Sequence, residues 1–78
     1  MFEQEFDFFR ANQAKLVSLY LGKILVIQGQ RVVGVYNSAL EALTESTKKY
    51  KLGTFMIQAC EPGPEAFTVT ISSYELFQ

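Results

Sequence analysis

The first apolar stripe of the chain has near-helical spacing. It consists of Phe2, Phe6, Phe9, Leu16 and Tyr20. This spacing predicts a helix from about Glu3 to Leu19, with Gly22 placed to adopt the positive φ that ends a helix. Asn12 interrupts the stripe, so an alternative is that Asn12 caps a second, shorter helical segment.

Two β-branched runs, Lys23–Gln28 and Arg31–Asn37, flank the pair Gly29-Gln30. Glycine at the first of two central positions favours a type II′ hairpin turn. The predicted register pairs Gln28 with Arg31, Ile27 with Val32, Val26 with Val33, Leu25 with Gly34 and Ile24 with Val35. A loop one residue earlier would place Val26 opposite Arg31, which cross-strand packing disfavours.

The second half of the chain begins with a capping box, since Ser38 is followed three residues later by Glu41,. The helix that follows is expected to end at Gly53. Its predicted inner stripe is Leu40, Leu43, Thr47 and Tyr50. The segments Thr54–Cys60 and Ala66–Ser72 are predicted as two strands, joined by a turn that contains two prolines.

These elements follow the order α-β-β-α-β-β and predict a single α+β domain over residues 1–78. Short connections favour antiparallel pairing. The expectation is therefore a four-stranded, mainly antiparallel sheet with two helices packed on it, mainly on one face. The alternative is that the two helices cover opposite faces.

The predicted hairpin is apolar on both faces, and this imbalance supplies the first functional hypothesis. One face carries Leu25, Ile27, Val32, Gly34 and Tyr36, and the other carries Ile24, Val26, Val33 and Val35. Gly34 would let a helix approach the first face closely. The second face would then be an exposed interaction surface for a second copy or a protein partner, unless a helix covers it. A detached, Phe-rich helix 1 is a further candidate for partner binding.

Composition narrows the possible functions. The 78 residues include no His and one Cys, and the net charge is −1, so there is no broad positive field for nucleic acid,. A single Cys cannot form an internal disulfide, which suggests a cytoplasmic location. No apolar run approaches the ~18 residues of a membrane span, and the acidic start is unlike a signal peptide.

Few residues are candidates for chemistry. Cys60 has no His to activate it and is followed by Glu61, so it is expected to be an inert thiol. Lys48, Lys49 and Lys51 surround Tyr50 and could form a weak ligand site for phosphate, although cations at a helix carboxyl end also offset its dipole. The predicted function is a non-enzymatic interaction module without metal or cofactor. The alternative is a ligand-binding or regulatory domain that uses these lysines.

Several short motifs resemble a family of small prokaryotic proteins of unknown function. The motifs are Gly22-Lys23 before the hairpin, Ser38 with Glu41-Ala42, and Gly53-Thr54-Phe55-Met56-Ile57-Gln58. The resemblance implies an amino-terminal helix, a hairpin, a second helix and a further strand. Some members are encoded beside retropepsin-like aspartic proteases, which implies such a protease as a possible partner. The resemblance brings no catalytic or binding residue to this chain.

Overall fold

A computed structural model describes residues 2–64, 66 and 70–72. The elements are α1 (Glu3–Tyr20), β1 (Ile24–Gln28), β2 (Arg31–Tyr36), α2 (Ala39–Lys49), β3 (Met56–Ala59) and β4 (Thr70–Ser72). The predicted α+β class, with two helices and an antiparallel sheet, is confirmed.

The centre of the sheet is β1, which pairs antiparallel with β2 on one side and with β3 on the other. The short β4 pairs antiparallel with β3. The predicted last strand began at Ala66, but Ala66 has 3₁₀ and not strand geometry. Residues 67–69 of that prediction lie outside the described residues, so the full length of this strand stays a prediction.

Helix α1 is continuous, and the alternative of a break at Asn12 is wrong. The Asn12 side-chain amide donates to the Phe8 carbonyl, 2.9 Å away and one turn back, so it bonds within the helix and caps nothing. Gly22 has φ +83°, as predicted for the residue that ends this helix. Buried Phe9 and Leu16 anchor α1 on the sheet.

The two helices cover opposite faces of the sheet. Leu25, Ile27 and Met56 pack with α1 in one apolar cluster. Val26 and Ile57 pack with Ala42 of α2 in a second cluster, called the α2-side cluster below. Because successive residues of a strand point to opposite faces, this division places one helix on each side. The expectation that both helices lie mainly on one face is therefore wrong, and the alternative of opposite faces is confirmed.

The hairpin turn forms as predicted, but the register does not hold along its whole length. Gly29 has φ +67° and no non-glycine residue among those described has positive φ, as a type II′ turn requires,. Gln28 pairs with Arg31 and Ile27 with Val32. The register then shifts, so that Val26 pairs with Gly34, Leu25 with Val35 and Ile24 with Tyr36. Val33 is the extra residue of a β-bulge.

The bulge gives Gly34 a different role from the predicted one. A Cβ atom built on Gly34 would lie 2.6 Å from Cε2 of Tyr36, so the Tyr36 ring occupies the space above the glycine. Tyr36 packs in the α2-side cluster. Gly34 therefore admits an aromatic ring from its own strand, and the expectation that it admits a helix is wrong.

Helix α2 begins as predicted and turns a different stripe towards the sheet. The Ser38 hydroxyl accepts from the Glu41 amide at 3.1 Å, and the Glu41 carboxylate accepts from the Asn37 amide at 3.0 Å. Small residues, Ala42 and Ser46, are the buried ones, whereas Leu40 is 73% exposed. Leu40 and Thr47 are thus wrongly predicted as inner residues, while Leu43 and Tyr50 pack against the α2-side cluster.

The end of α2 also differs from the prediction. Tyr50 caps the helix with extended backbone angles, and its amide donates to the Ser46 carbonyl. Gly53, with φ +93°, lies in a separate turn that is closed by a bond from the Thr54 amide to the Lys51 carbonyl at 3.2 Å. Gly53 therefore needs its positive φ for this turn and not as the helix end.

Ser46 carries a buried hydroxyl for which the described part of the chain supplies no hydrogen-bond partner. Leaving such a group unpaired costs about 1–3 kcal/mol. We expect Ser46→Ala to raise the free energy of unfolding by about 1 kcal/mol, because alanine removes the hydroxyl and is a better helix former. Urea unfolding followed by circular dichroism measures this difference. A loss of stability would mean that the hydroxyl is paired.

Side-chain hydrogen bonds join α1 to distant parts of the chain. The Gly29 amide in the hairpin turn donates to the Glu5 carboxylate at 2.8 Å. The Gln13 amide donates to the Glu61 and Gly63 carbonyls at 2.8 and 2.9 Å. These bonds fix α1 at its first turn and near its middle.

Candidate interaction edge

The four residues predicted as an interaction face do not lie together on an exposed surface. Val26 is fully buried, and Ile24 and Val33 are half-buried against the α2-side cluster. Val35 is 38% exposed and lies opposite Leu25, which packs on the α1 side. The prediction of one uncovered aliphatic face is wrong, because α2 covers it and the bulge turns Val35 to the other side.

Of the two outer strands of the described sheet, β2 and β4, β2 is the longer, with six residues against three. Within the described part of the chain, β2 is hydrogen-bonded to β1 alone. Its six residues, Arg31–Tyr36, contain neither lysine nor proline, which commonly protect edge strands, and only Arg31 is charged,. The main-chain groups of Arg31–Tyr36 that point away from β1 are called the β2 edge below.

The hairpin geometry identifies the groups that the β2 edge presents. Residues that close a two-residue turn form a hydrogen-bonded pair, here Gln28 and Arg31, and hydrogen-bonded and non-hydrogen-bonded pairs then alternate along β1. Ile27 and Leu25 are therefore at non-hydrogen-bonded positions. Their partners Val32 and Val35 direct their N–H and C=O groups outward.

The outward-directed groups are three residues apart, although a regular strand would place them two apart. The additional residue is Val33, which has no partner in β1. No described group is hydrogen-bonded to the outward amides of Val32 and Val35. The β2 edge thus offers two separated pairs of donor and acceptor.

The lysines at the end of α2 do not form a comparable site. Lys48 lies 3.1 Å from the Glu45 carboxylate, and Lys49 and Lys51 are exposed. Tyr50 is half-buried and packs against the α2-side cluster, with its ring centroid 6.4 Å from that of Phe55. This packing leaves less of the Tyr50 ring to stack on a ligand held by the lysines.

Elsewhere the described residues form an open groove but no cluster of candidate metal ligands. An open groove of about 520 Å³ runs between α1 and the turn at Pro62 and Gly63. Among the described residues that line it, Arg10 is the one that is charged. Across the described residues, no three acidic, Cys or His side chains converge as metal ligands would.

Cys60 is fully buried, and its amide donates to the Lys23 carbonyl at 2.8 Å. Burial raises the pKa of the Cys60 thiol, since a thiolate is poorly solvated there. The prediction of an inert thiol rested on the absence of a His base and on the neighbouring Glu61, whereas the cause of the raised pKa in the structure is burial.

The shifted pKa of Cys60 predicts a pH dependence of stability. A thiol whose pKa is higher in the folded state than in the unfolded state stabilises the fold fully at pH values below its unfolded pKa of about 8.5. This stabilisation is lost as the pH rises towards the folded pKa. We expect the unfolding free energy of the wild type to decline more steeply above about pH 8.5 than that of Cys60→Ala. Urea unfolding of both proteins between pH 7 and 10 checks this. Parallel profiles would contradict it.

Neither helix in the described part of the chain combines the length and apolar character needed to cross a membrane. No protein-family model, curated protein or solved structure matches this chain. The functional inference therefore depends on the geometry above.

The β2 edge could not be predicted from the sequence, because strand order and not residue type decides which strand is outermost. The sequence does contain one usable signal, which is the lack of lysine and proline between Val32 and Tyr36. That signal identifies an unprotected edge only when β2 is known to be the outermost strand.

Proposed function

We propose that this protein is a small, non-catalytic interaction module that binds a protein partner through the β2 edge of its sheet. The observation that carries the proposal is an edge strand with outward main-chain groups at Val32 and Val35 that no described strand pairs. Binding of a further strand to such an edge is a common mode of protein recognition.

The remaining chemistry supports a binding role over an enzymatic one. Cys60, the thiol, is buried and away from solvent. A ligand-binding role for Lys48, Lys49 and Lys51 receives less support, since Tyr50 packs against the α2-side cluster. The cytoplasmic location, which is inferred from the single Cys, stays a prediction. The protease partner, which the family resemblance implies, also stays a prediction.

The proposal is tested by a variant that removes one outward donor. Val35→Pro deletes the Val35 amide hydrogen, which does not bond to β1, and proline is tolerated on edge strands for that reason. Val35→Thr is the matched control, because it keeps the amide and the β-branched shape. We expect affinity capture from native extract to recover the same protein with wild type and Val35→Thr, but not with Val35→Pro.

Equal recovery by all three proteins would contradict binding of the captured protein at the β2 edge. Circular dichroism and urea unfolding of each variant show whether Val35→Pro remains folded. If it does not, Val32→Pro removes the other outward amide and serves as the second variant.

A further inference from the structure

We infer that the β2 edge pairs with the β2 edge of a second copy of this chain, antiparallel and about a two-fold axis. This inference rests on the proposed function and names the partner. It places Val32 of each copy opposite Val35 of the other, Val33 opposite Gly34, and Arg31 opposite Tyr36.

The spacing of the outward groups is compatible with this partner. The Val33 bulge separates the outward-directed residues Val32 and Val35 by three positions. The residues opposite them in β1 are Ile27 and Leu25, which are two positions apart, so the bulge keeps Val32 and Val35 at about the axial spacing of two residues in a regular strand,. A second copy has the same three-residue spacing, so antiparallel pairing brings Val32 to Val35 at both places. Each such pair exchanges two main-chain hydrogen bonds.

The charges near the edge also match in this arrangement. Arg31 is exposed at the start of β2, and the Glu41 carboxylate is held by the Asn37 amide just after its end. Arg31 lies on the α2 side, because its neighbour Val32 packs on the α1 side,. Antiparallel pairing therefore brings each Arg31 to the end of the partner strand where Tyr36 and Glu41 lie, on the same side of the sheet.

Parallel pairing would have the opposite electrostatic effect. It would place the two Arg31 side chains next to each other, and like charges directly opposite destabilise a strand pair. In the antiparallel pair each Arg31 lies opposite Tyr36 of the second copy. Arg31 and Tyr36 are opposite Gln28 and Ile24, four residues apart in β1, so the two arginines are about 13 Å apart, which exceeds the screening length of about 8 Å at physiological ionic strength. The charge distribution thus favours the two-fold arrangement.

The first test is the oligomeric state of the purified protein. We expect sedimentation equilibrium from about 1 μM to 1 mM to show reversible formation of a species of twice the chain mass, since an edge contact of one strand buries little area and is weak. Val35→Pro should remain monomeric throughout, and Val35→Thr should follow the wild type. A wild type that stays monomeric at 1 mM, or a Val35→Pro that dimerises equally, overturns the inference.

A second measurement does not depend on a proline variant. Amide exchange followed by NMR should slow at Val32 and Val35 as the protein concentration rises, while the inward amide of Gly34, paired with Val26, should stay unchanged,. Dimerisation without added protection at Val32 and Val35 would place the contact elsewhere and overturn the inference.

The register is tested through Arg31. Arg31→Glu would bring a carboxylate towards Glu41 of the partner, so we expect dimerisation to weaken about tenfold at low salt and the difference to shrink near 1 M salt. Arg31→Gln, which only removes the charge, should lie between. Equal dimerisation of all three would overturn this register.

The outcomes for self-pairing and for the proposed function can be separated. If the purified protein is monomeric but Val35→Pro still loses a captured protein that Val35→Thr retains, self-pairing is excluded and binding at the edge stands. If the purified protein dimerises through Val32 and Val35 but all variants capture alike, self-pairing stands and the separate partner is excluded from this edge.

Discussion

Val26→Lys is expected to lower the free energy of unfolding by about 4 kcal/mol or more, whereas Val35→Lys is expected to leave the monomer folded. Val26 is fully buried between the sheet and α2, so the lysine charge would be buried without a partner, at a cost of about 4 kcal/mol or more,. The whole stability of a 78-residue domain is of the order of 4–12 kcal/mol,.

Val35 is the matched control for Val26, because both are valines and the predicted hairpin register places them on the same face. At 38% exposure, Val35 can direct a lysine ammonium into water,. We expect its change in unfolding free energy to stay within about 1 kcal/mol, measured by urea unfolding at low micromolar concentration, where dimerisation does not contribute. A Val26→Lys variant as stable as Val35→Lys would show that α2 does not cover this face.

The second large effect concerns the opposite layer. Phe9 of α1 is fully buried against the sheet, and Phe9→Ala is expected to lower the unfolding free energy by about 3–5 kcal/mol through lost burial and the remaining cavity,. Leu19→Ala, on the same helix at a position that is 60% exposed, is the control and should change stability by less than about 0.5 kcal/mol,. Similar losses in the two variants would mean that α1 packs through a different face.

The elements that depend on neighbouring residues were predictable from the sequence. The type II′ turn requires a positive φ only at Gly29, and the start of α2 requires the Ser38 hydroxyl at the Glu41 amide. Both interactions span three residues or fewer, so the sequence around them contains the necessary chemistry.

The bulge at Val33 could not be read from the hairpin alone. In the folded chain the Tyr36 ring lies over Gly34, and Val33 packs against the α2-side cluster; neither contact can be read from the hairpin sequence alone. A one-residue shift in a strand moves every later side chain to the opposite face. This single shift explains why Val35 and Tyr36 lie on faces opposite to those predicted.

The contact between α2 and the sheet illustrates a second limit. Hydrophobicity ranks Leu40 above Ala42 and Ser46 as a core residue, yet Leu40 is exposed and the two small residues are buried. Small side chains allow the helix to approach the sheet, and the large groups that fill the layer come partly from the strands and from Phe55. Only the assembled layer determines which stripe of α2 faces inward.

The bond between Glu5 and Gly29 has a consequence for how detachment of α1 could be observed. An amide at a hairpin turn normally exchanges its hydrogen with water rapidly, because it projects into solvent. Here the Gly29 amide is held by a carboxylate from the first turn of α1. Its exchange rate is therefore a reporter of how often the amino-terminal helix leaves the sheet, readable at a site 24 residues away along the chain.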